Sequence, residues 1–461
     1  MIPTTGFKKR LTEVWIYPPI CKYQEKIQDT SQYFKFLDSA DTHSGKDVLI
    51  YVHIPFCEGF CLFCAYHKVP LSRYTYEQRR DIFLAYKAEI ENYAAKEYFK
   101  HASVKAIQFG GGTPSSVEPD LIHMVIKTIQ DNFNVDQCEM ISMEGNVLSL
   151  QDPVKLKALK ARGVKRFSFG VQTFNERIRK KLGIRAKISD IFKAVEAIKE
   201  ADFKDYSLDI MYNLPEQTME DIANDLEMVE RLNPIYVDAY NLNIFPNTKF
   251  KEVIDRGNYF SSKPNDENEI TMFKEIMAVM KDKGYNQVMV NTFSKTRTKP
   301  VITLDMCLNG SRVLGIGPSA RSYLSGYNYR NIPSLEEYAK KIQTGDFAVI
   351  AGNTATAEEQ TERQMVFFPA YTYIKKSEVD NYERFAPEIQ FLINHAYAED
   401  NGSYIRLTDE GKIWPGNISA LFFNEKQRRK SNISFLNAYK YKENPYNQDK
   451  MGISRKNKEK E

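Results

Sequence analysis

Cysteine is scarce in this chain, with six in 461 residues, and three of them are scattered as Cys21, Cys138 and Cys307. That spacing excludes a disulfide framework and leaves these three thiols as expected buried, inert side chains. Long apolar runs are missing too. No stretch approaches the roughly 18 apolar residues needed to span a bilayer, and the opening MIPTTGFKKRLTEVW lacks the apolar segment of a secretory leader. Neither sign of charge dominates, since 64 basic and 60 acidic residues leave a formal +4. Such a balance argues against nucleic acid or a membrane as a general partner. The expectation is a soluble, cytoplasmic protein whose 42% hydrophobic content supports a sizeable core.

From residue 47 to about 245, short β-branched or aromatic runs alternate with longer amphipathic stretches, the pattern of repeated βα units and a parallel sheet. Six strands are expected: DVLIYVHI (47–54), VKAIQFG (104–110), EMISMEG (139–145), KRFSFGV (165–171), DYSLDIMYN (205–213) and IYVDAYNLN (235–243). Helical periodicity fills the gaps, mostly after Asp, Ser or Pro. Six such units without an obvious seventh and eighth predict an α/β fold, an incomplete (β/α)6 TIM-like barrel. Residues 1–46 read as an N-terminal arm, and 246–330 as irregular connecting sequence completing a core of 47–330. A smaller, mainly helical cap follows over 331–423, ending in a short hairpin plus helix, and 424–461 is a basic, polar tail expected to be solvated and flexible.

The thiols that remain are crowded. In YVHIPFCEGFCLFCAYHK (51–68), Cys57, Cys61 and Cys64 fall within eight positions, with His67 three positions further on. A Cys3His zinc site explains that spacing as well as an iron–sulfur cluster does. The two differ in what they leave open. Three thiolates on a 4Fe-4S cluster leave one iron without a protein ligand, free to chelate the amino and carboxylate groups of S-adenosylmethionine.

If so, the other strand ends should carry groups for that ligand, because reaction centres of βα barrels lie at the C-terminal ends of strands. GGGTP (110–114) follows the second strand, with glycines that allow close backbone approach. Glu144 ends the third, Gln172 the fourth and Asp209 lies in the fifth, while Arg185 in KKLGIRAK suits a carboxylate. Alone, each reads as an ordinary turn or solvated polar residue; their joint occurrence at successive strand ends favours the cluster over zinc.

With YVHIPFCEGFCLFC, FGGGTPS, RFSFGVQTFNERIRKKLGIR, LDIMYNLPEQT, YNLNIFPNT, LGIGPSARS and RLTDEGKI in this order, the chain resembles the radical S-adenosylmethionine superfamily. Within it, the likeness is to the oxygen-independent coproporphyrinogen III oxidase-like group, over roughly residues 47 to 423. The resemblance implies Cys57, Cys61 and Cys64 as ligands of a 4Fe-4S cluster. It places Tyr51, Phe63, Gly111, Gly112, Thr113, Glu144 and Tyr240 near a first S-adenosylmethionine, and Gln172, Arg185 and Asp209 near a second. It also implies an electron donor such as flavodoxin or ferredoxin. Two departures stand out: Tyr66 occupies the place of the oxidase's fourth cysteine, and Asn213 that of the usual glycine. These departures weaken the coproporphyrinogen assignment, and CAYHK (64–68) resembles the divergent branch of C-methyltransferases, cyclopropane-forming enzymes and anaerobic haem-opening enzymes.

The leading expectation is therefore a radical enzyme that uses two S-adenosylmethionine molecules for C-methyl or methylene transfer to a small unsaturated substrate. Gln172, Arg185 and Asp209 would position the donor. One rival is tetrapyrrole chemistry, either oxidative decarboxylation of coproporphyrinogen III or anaerobic haem methylation with ring opening, with the arm segment EVWIYPPICKYQE folded over the barrel mouth. The other is a haem-carrying chaperone, with His53 as a candidate axial ligand.

Overall fold

The computed structural model describes residues 2–3, 5–11, 13–19, 25–40, 47–245, 248–257, 259–310 and 312–430. Cys21 and residues 431–461 of the basic tail lie outside the described residues. Strands form at all six expected places: β1 (Asp47–Ile54), β2 (Ser103–Gly111), β3 (Met140–Gly145), β4 (Arg166–Gln172), β5 (Asp205–Tyr212) and β6 (Tyr236–Asn241). They pair in chain order, all parallel. The crossovers are helices Tyr76–Ala94, Pro119–Asn132, Pro153–Ala161, Ile188–Glu200 and Met219–Leu232. Thr75, Asp152 and Thr218 start three of them by accepting first-turn backbone N–H groups. Their apolar stripes, such as Leu121, Ile122, Val125, Ile126 and Ile129, are buried against the sheet. Each such side chain contributes about 1.5–3 kcal/mol.

The stretch 246–330, expected to be irregular, instead extends the sheet at both edges. Beyond β6 lie β7 (Asn286–Met289) and β8 (Thr292–Ser294), with β8 antiparallel to β6. At the other edge β9 (Arg312–Ile316) pairs parallel with β1. It is followed by the antiparallel β10 (Arg321–Leu324), β11 (Tyr327–Asn331) and β12 (Val349–Thr354). Twelve strands thus form one sheet with β12 at one end and β7 at the other, and the partial barrel curls without closing. The helix Ile302–Leu308 plugs the end where strands begin, packing on Leu49, Ala106, Met140 and Val313.

A second core joins helices Ala357–Tyr371, Ala386–Asn394 and Pro415–Leu421 to the small antiparallel sheet β13 (Tyr373–Lys375), β14 (Ala398–Asp400) and β15 (Tyr404–Leu407). The arm is fastened to this cap. The Phe7 ring stacks on Tyr397 at 4.8 Å and its N–H donates to the Tyr397 hydroxyl at 2.8 Å. Leu11 N–H donates to Asn417, whose own amide donates to the Lys9 carbonyl. Arg10 forms a buried ion pair with Glu269 of the helix Asp266–Asp282, and the Tyr17 hydroxyl donates to Glu362. Among the described residues, no helix is long and apolar enough to cross a membrane.

Candidate functional site

Interior positions of a filled βα barrel are usually Val, Ile or Leu. Here the alternation of β4 turns Arg166, Ser168, Gly170 and Gln172 inward, while β3 supplies Ser142 and Glu144, β5 Asp209, and β6 Asp238 and Tyr240. Polar side chains of modest size leave the lumen hollow. The resulting cavity of about 680 Å³ runs from the cysteine loop to the far wall formed by β10, β11 and the helix Ala357–Tyr371. Arm residues Glu13, Trp15, Ile16 and Tyr17 complete its lining.

At the strand ends, Glu144 accepts the Gly111 N–H at 3.1 Å and the Gln108 amide at 3.4 Å, and burial pushes its carboxyl up. Asp209 lies beside Asp238 in the parallel register and accepts the Ser168 hydroxyl at 3.3 Å. Burial, with Asp238 and Glu144 nearby, holds Asp209 well above the usual carboxylate range. Asp238 is also pushed up by burial, against the Thr292 hydroxyl it accepts at 2.5 Å and the nearby Arg166. The result is a wall of three acids suited to a cationic ligand group.

Gln172 has φ 73°, outside the range ordinary side chains favour, and folds back over Gly170, where an added Cβ would lie 1.9 Å from its Nε2. The clamp that holds this turn is Arg179, 1% exposed, whose Nη1 donates to the carbonyls on both sides of Gln172, Val171 at 2.5 Å and Thr173 at 2.9 Å. Its other nitrogens reach the Ala186 carbonyl. Arg179 was not among the residues picked from the sequence, because an arginine in a basic helix reads as solvated.

The cysteine loop begins at a two-residue parallel pairing of Phe56–Cys57 with Val69–Pro70. GGGTP docks on it through Gly112 N–H to Ile54 and Thr113 N–H to Phe56. Gly111, with φ 112°, is packed so closely that a Cβ would lie 2.6 Å from the His53 ring. The Thr113 hydroxyl lies 3.3 Å from the Cys57 sulfur. Leu62 N–H donates to the Leu182 carbonyl, tying the loop to the turn after β4.

Seven of the predicted ligand-binding residues line the cavity: Tyr51, Phe63, Gly112, Glu144, Gln172, Asp209 and Tyr240. Gly111 and Thr113 stand behind them. Arg185 is not brought to the cavity; it is exposed, and its Nη1 donates to the Glu58 carbonyl at 2.9 Å on the outside of the cysteine loop. His53 has both ring nitrogens engaged, Nδ1 with the Tyr51 hydroxyl at 3.1 Å and Nε2 with the His67 carbonyl at 3.3 Å. Burial, with His67 and Arg330 nearby, drives it down to about 3, a neutral imidazole holding the strand end. Asn213 adopts φ 58° in its own right and donates to Glu269, so an amide replaces the usual glycine without strain elsewhere. Cys307, expected to be an inert buried thiol, lines the cavity, and burial pushes it up to about 12.

Among the described residues, no group of three or more His, Cys, Asp or Glu side chains is gathered as ligands of a single metal ion. The His67 ring stacks on His53 at 6.4 Å, which is not the arrangement of a Cys3His zinc site. The donor set fits a cluster instead: Cys57, Cys61 and Cys64 are free, partly exposed thiols on one loop. Cys61 is pushed up to about 12, chiefly by burial and then by Cys64 and Cys57.

The site is thus a hollow partial barrel with three thiols on the loop after β1 and acids at the strand ends. A family model described as the Radical SAM superfamily matches residues 51–229. It is 28% identical over 387 residues to the heme chaperone HemW of Bacillus subtilis (strain 168), covering 81% of this chain and 99% of the relative. It is 25% identical over 380 residues to an anaerobilin synthase of Escherichia coli O157:H7, covering 82% and 84%. The solved structure of the Escherichia coli coproporphyrinogen III oxidase HemN has the same fold, with a TM-score of 0.73 at 21% identity over 90% of this chain and 100% of that one.

Proposed function

We propose that this radical S-adenosylmethionine protein acts on, or carries, a tetrapyrrole. The cavity carries the reading. Its volume of about 680 Å³ suits a ligand of cofactor size, and it continues past the acid wall to a second wall roofed by the arm. The arm residues Glu13, Trp15, Ile16 and Tyr17 in its lining support this reading, while residues 20–24 of that segment lie outside the described residues. The printed names of the relatives, a heme chaperone, an anaerobilin synthase and a coproporphyrinogen III oxidase, support the same ligand class.

Cys57, Cys61 and Cys64 would hold a 4Fe-4S cluster, which when bound supplies the electron for reductive cleavage of S-adenosylmethionine. Glu144 and Asp209, carboxyls that burial keeps protonated more readily, would gain their charge beside the sulfonium of that cosubstrate, and Tyr51, Phe63 and Tyr240 offer aromatic faces. The roof of Glu13, Trp15, Ile16 and Tyr17 keeps bulk water from the reacting groups. Methyl or methylene transfer from a second S-adenosylmethionine is a finer form of this reading, favoured by Gln172 and Asp209 in the cavity.

The test is anaerobic incubation of the reconstituted, reduced protein with methyl-deuterated S-adenosylmethionine, with and without haem. Haem should raise 5′-deoxyadenosine formation at least tenfold, and deuterium in that product would support methylene transfer. A haem spectrum that shifts on binding without cleavage assigns a carrier role. If haem and coproporphyrinogen neither bind nor stimulate cleavage, the tetrapyrrole reading is lost.

A further inference from the structure

The two walls of the cavity differ in sign. Its acids on the parallel strands, Glu144, Asp209 and Asp238, are accompanied there by Arg166, whereas Arg321, Arg330 and Arg363 stand on the opposite wall. We infer that Arg363, with Arg321 and Arg330, forms a carboxylate subsite that receives acidic side chains of the ligand. The inference rests on the tetrapyrrole reading and deepens it.

Arg363 is 6% exposed, on the helix Ala357–Tyr371. Its Nη1 and Nη2 donate to the carbonyls of Leu308 at 2.9 Å and Cys307 at 3.0 Å, and its plane lies over the rings of Tyr323 at 4.4 Å and Phe367 at 4.6 Å. Those contacts fix the guanidinium but do not neutralise it. Its Nε has no hydrogen-bond partner, and the groups whose charge it feels are Tyr323, Tyr371 and Cys307, none a carboxylate. A buried cation held only by neutral groups is costly unless an anion joins it.

Arg330, 3% exposed, and Arg321 add charge on adjacent antiparallel strands, where they are cross-strand partners. A guanidinium, planar and permanently charged, is the donor that carboxylates accept best. The acid wall and the arginine wall would then orient one ligand between them, with its carboxylates directed away from the cysteine loop.

The test compares haem with haem dimethyl ester, titrated into the intact chain and followed by the haem absorption band. The wild type should bind the ester at least tenfold more weakly. Arg363→Met should lower affinity for haem toward that of the ester while leaving the ester's affinity unchanged. Should Arg363→Met fail to fold by circular dichroism, Arg321→Met, expected to weaken haem binding about threefold, stands in for it beside the wild-type comparison. Equal affinities for acid and ester in the wild type would overturn the subsite and leave the tetrapyrrole reading standing. Binding of neither sinks both.

Discussion

Glu269 and Glu89 are carboxylates with almost no exposure, 1% and 0%, yet their surroundings differ. Glu269 holds the arm to the parallel half of the molecule through the Arg10 cation, with Asn213 and Asn241 amides donating at 3.2 and 3.0 Å. Glu89, on the helix Tyr76–Ala94, fastens the antiparallel edge through neutral donors: Gly317 N–H at 2.8 Å, the Asn331 amide at 2.7 Å and the Tyr338 hydroxyl at 2.7 Å. Burial pushes Glu89 up to about 7 despite those bonds. One fastening is therefore built on opposite charge, the other on a carboxyl that binds more tightly with its proton.

Removing the cation breaks the first. Arg10→Met leaves Glu269 buried against an absent charge and should cost about 3–5 kcal/mol in urea unfolding; a loss below about 1 kcal/mol would show that the pair contributes little. Titration probes the second. A group whose folded pKa is raised is most stabilising below its unfolded value of 4.5, and that stabilisation is lost as pH rises toward 7. Asp225, also pushed up to about 7 chiefly by burial, acts in the same direction. Stability should fall between pH 4.5 and 7 by on the order of 3 kcal/mol per group, and Glu89→Gln should remove its own share of that fall, about 3 kcal/mol. An unchanged slope in that variant would assign the effect elsewhere. The smallest expected effect is that of Arg185→Ala, an exposed cation outside the cavity, within about 1 kcal/mol in stability and with little change in S-adenosylmethionine affinity. A tenfold loss of that affinity would return Arg185 to the role its sequence context implies.

The parallel half was legible because its strands are buried on the helix-covered face and its helices keep a strict apolar stripe, as in PDLIHMVIKTIQDN. The antiparallel edge was not. β9 pairs with β1 across more than 250 residues, and β10 and β11 turn Arg321, Tyr323, Asn328 and Arg330 toward a hollow interior. Where the inner face is polar, the alternation that marks a strand disappears. The site divides along the same line. Cysteines and strand-end residues announced themselves by spacing and position, whereas Arg179 and Arg363 gain meaning only from burial and from carbonyls that local sequence does not name.

The arm's attachments also bear on the order in which the molecule is made. Phe7 and Leu11 bind partners 390 and 406 positions later in the chain. A nascent chain emerging from the ribosome has its barrel and cysteine loop long before the residues that seat the roof. Until Asn417 is synthesised, the interior is open on that side. The arm residues that line the cavity are therefore seated last, after the strands and the cysteine loop they face.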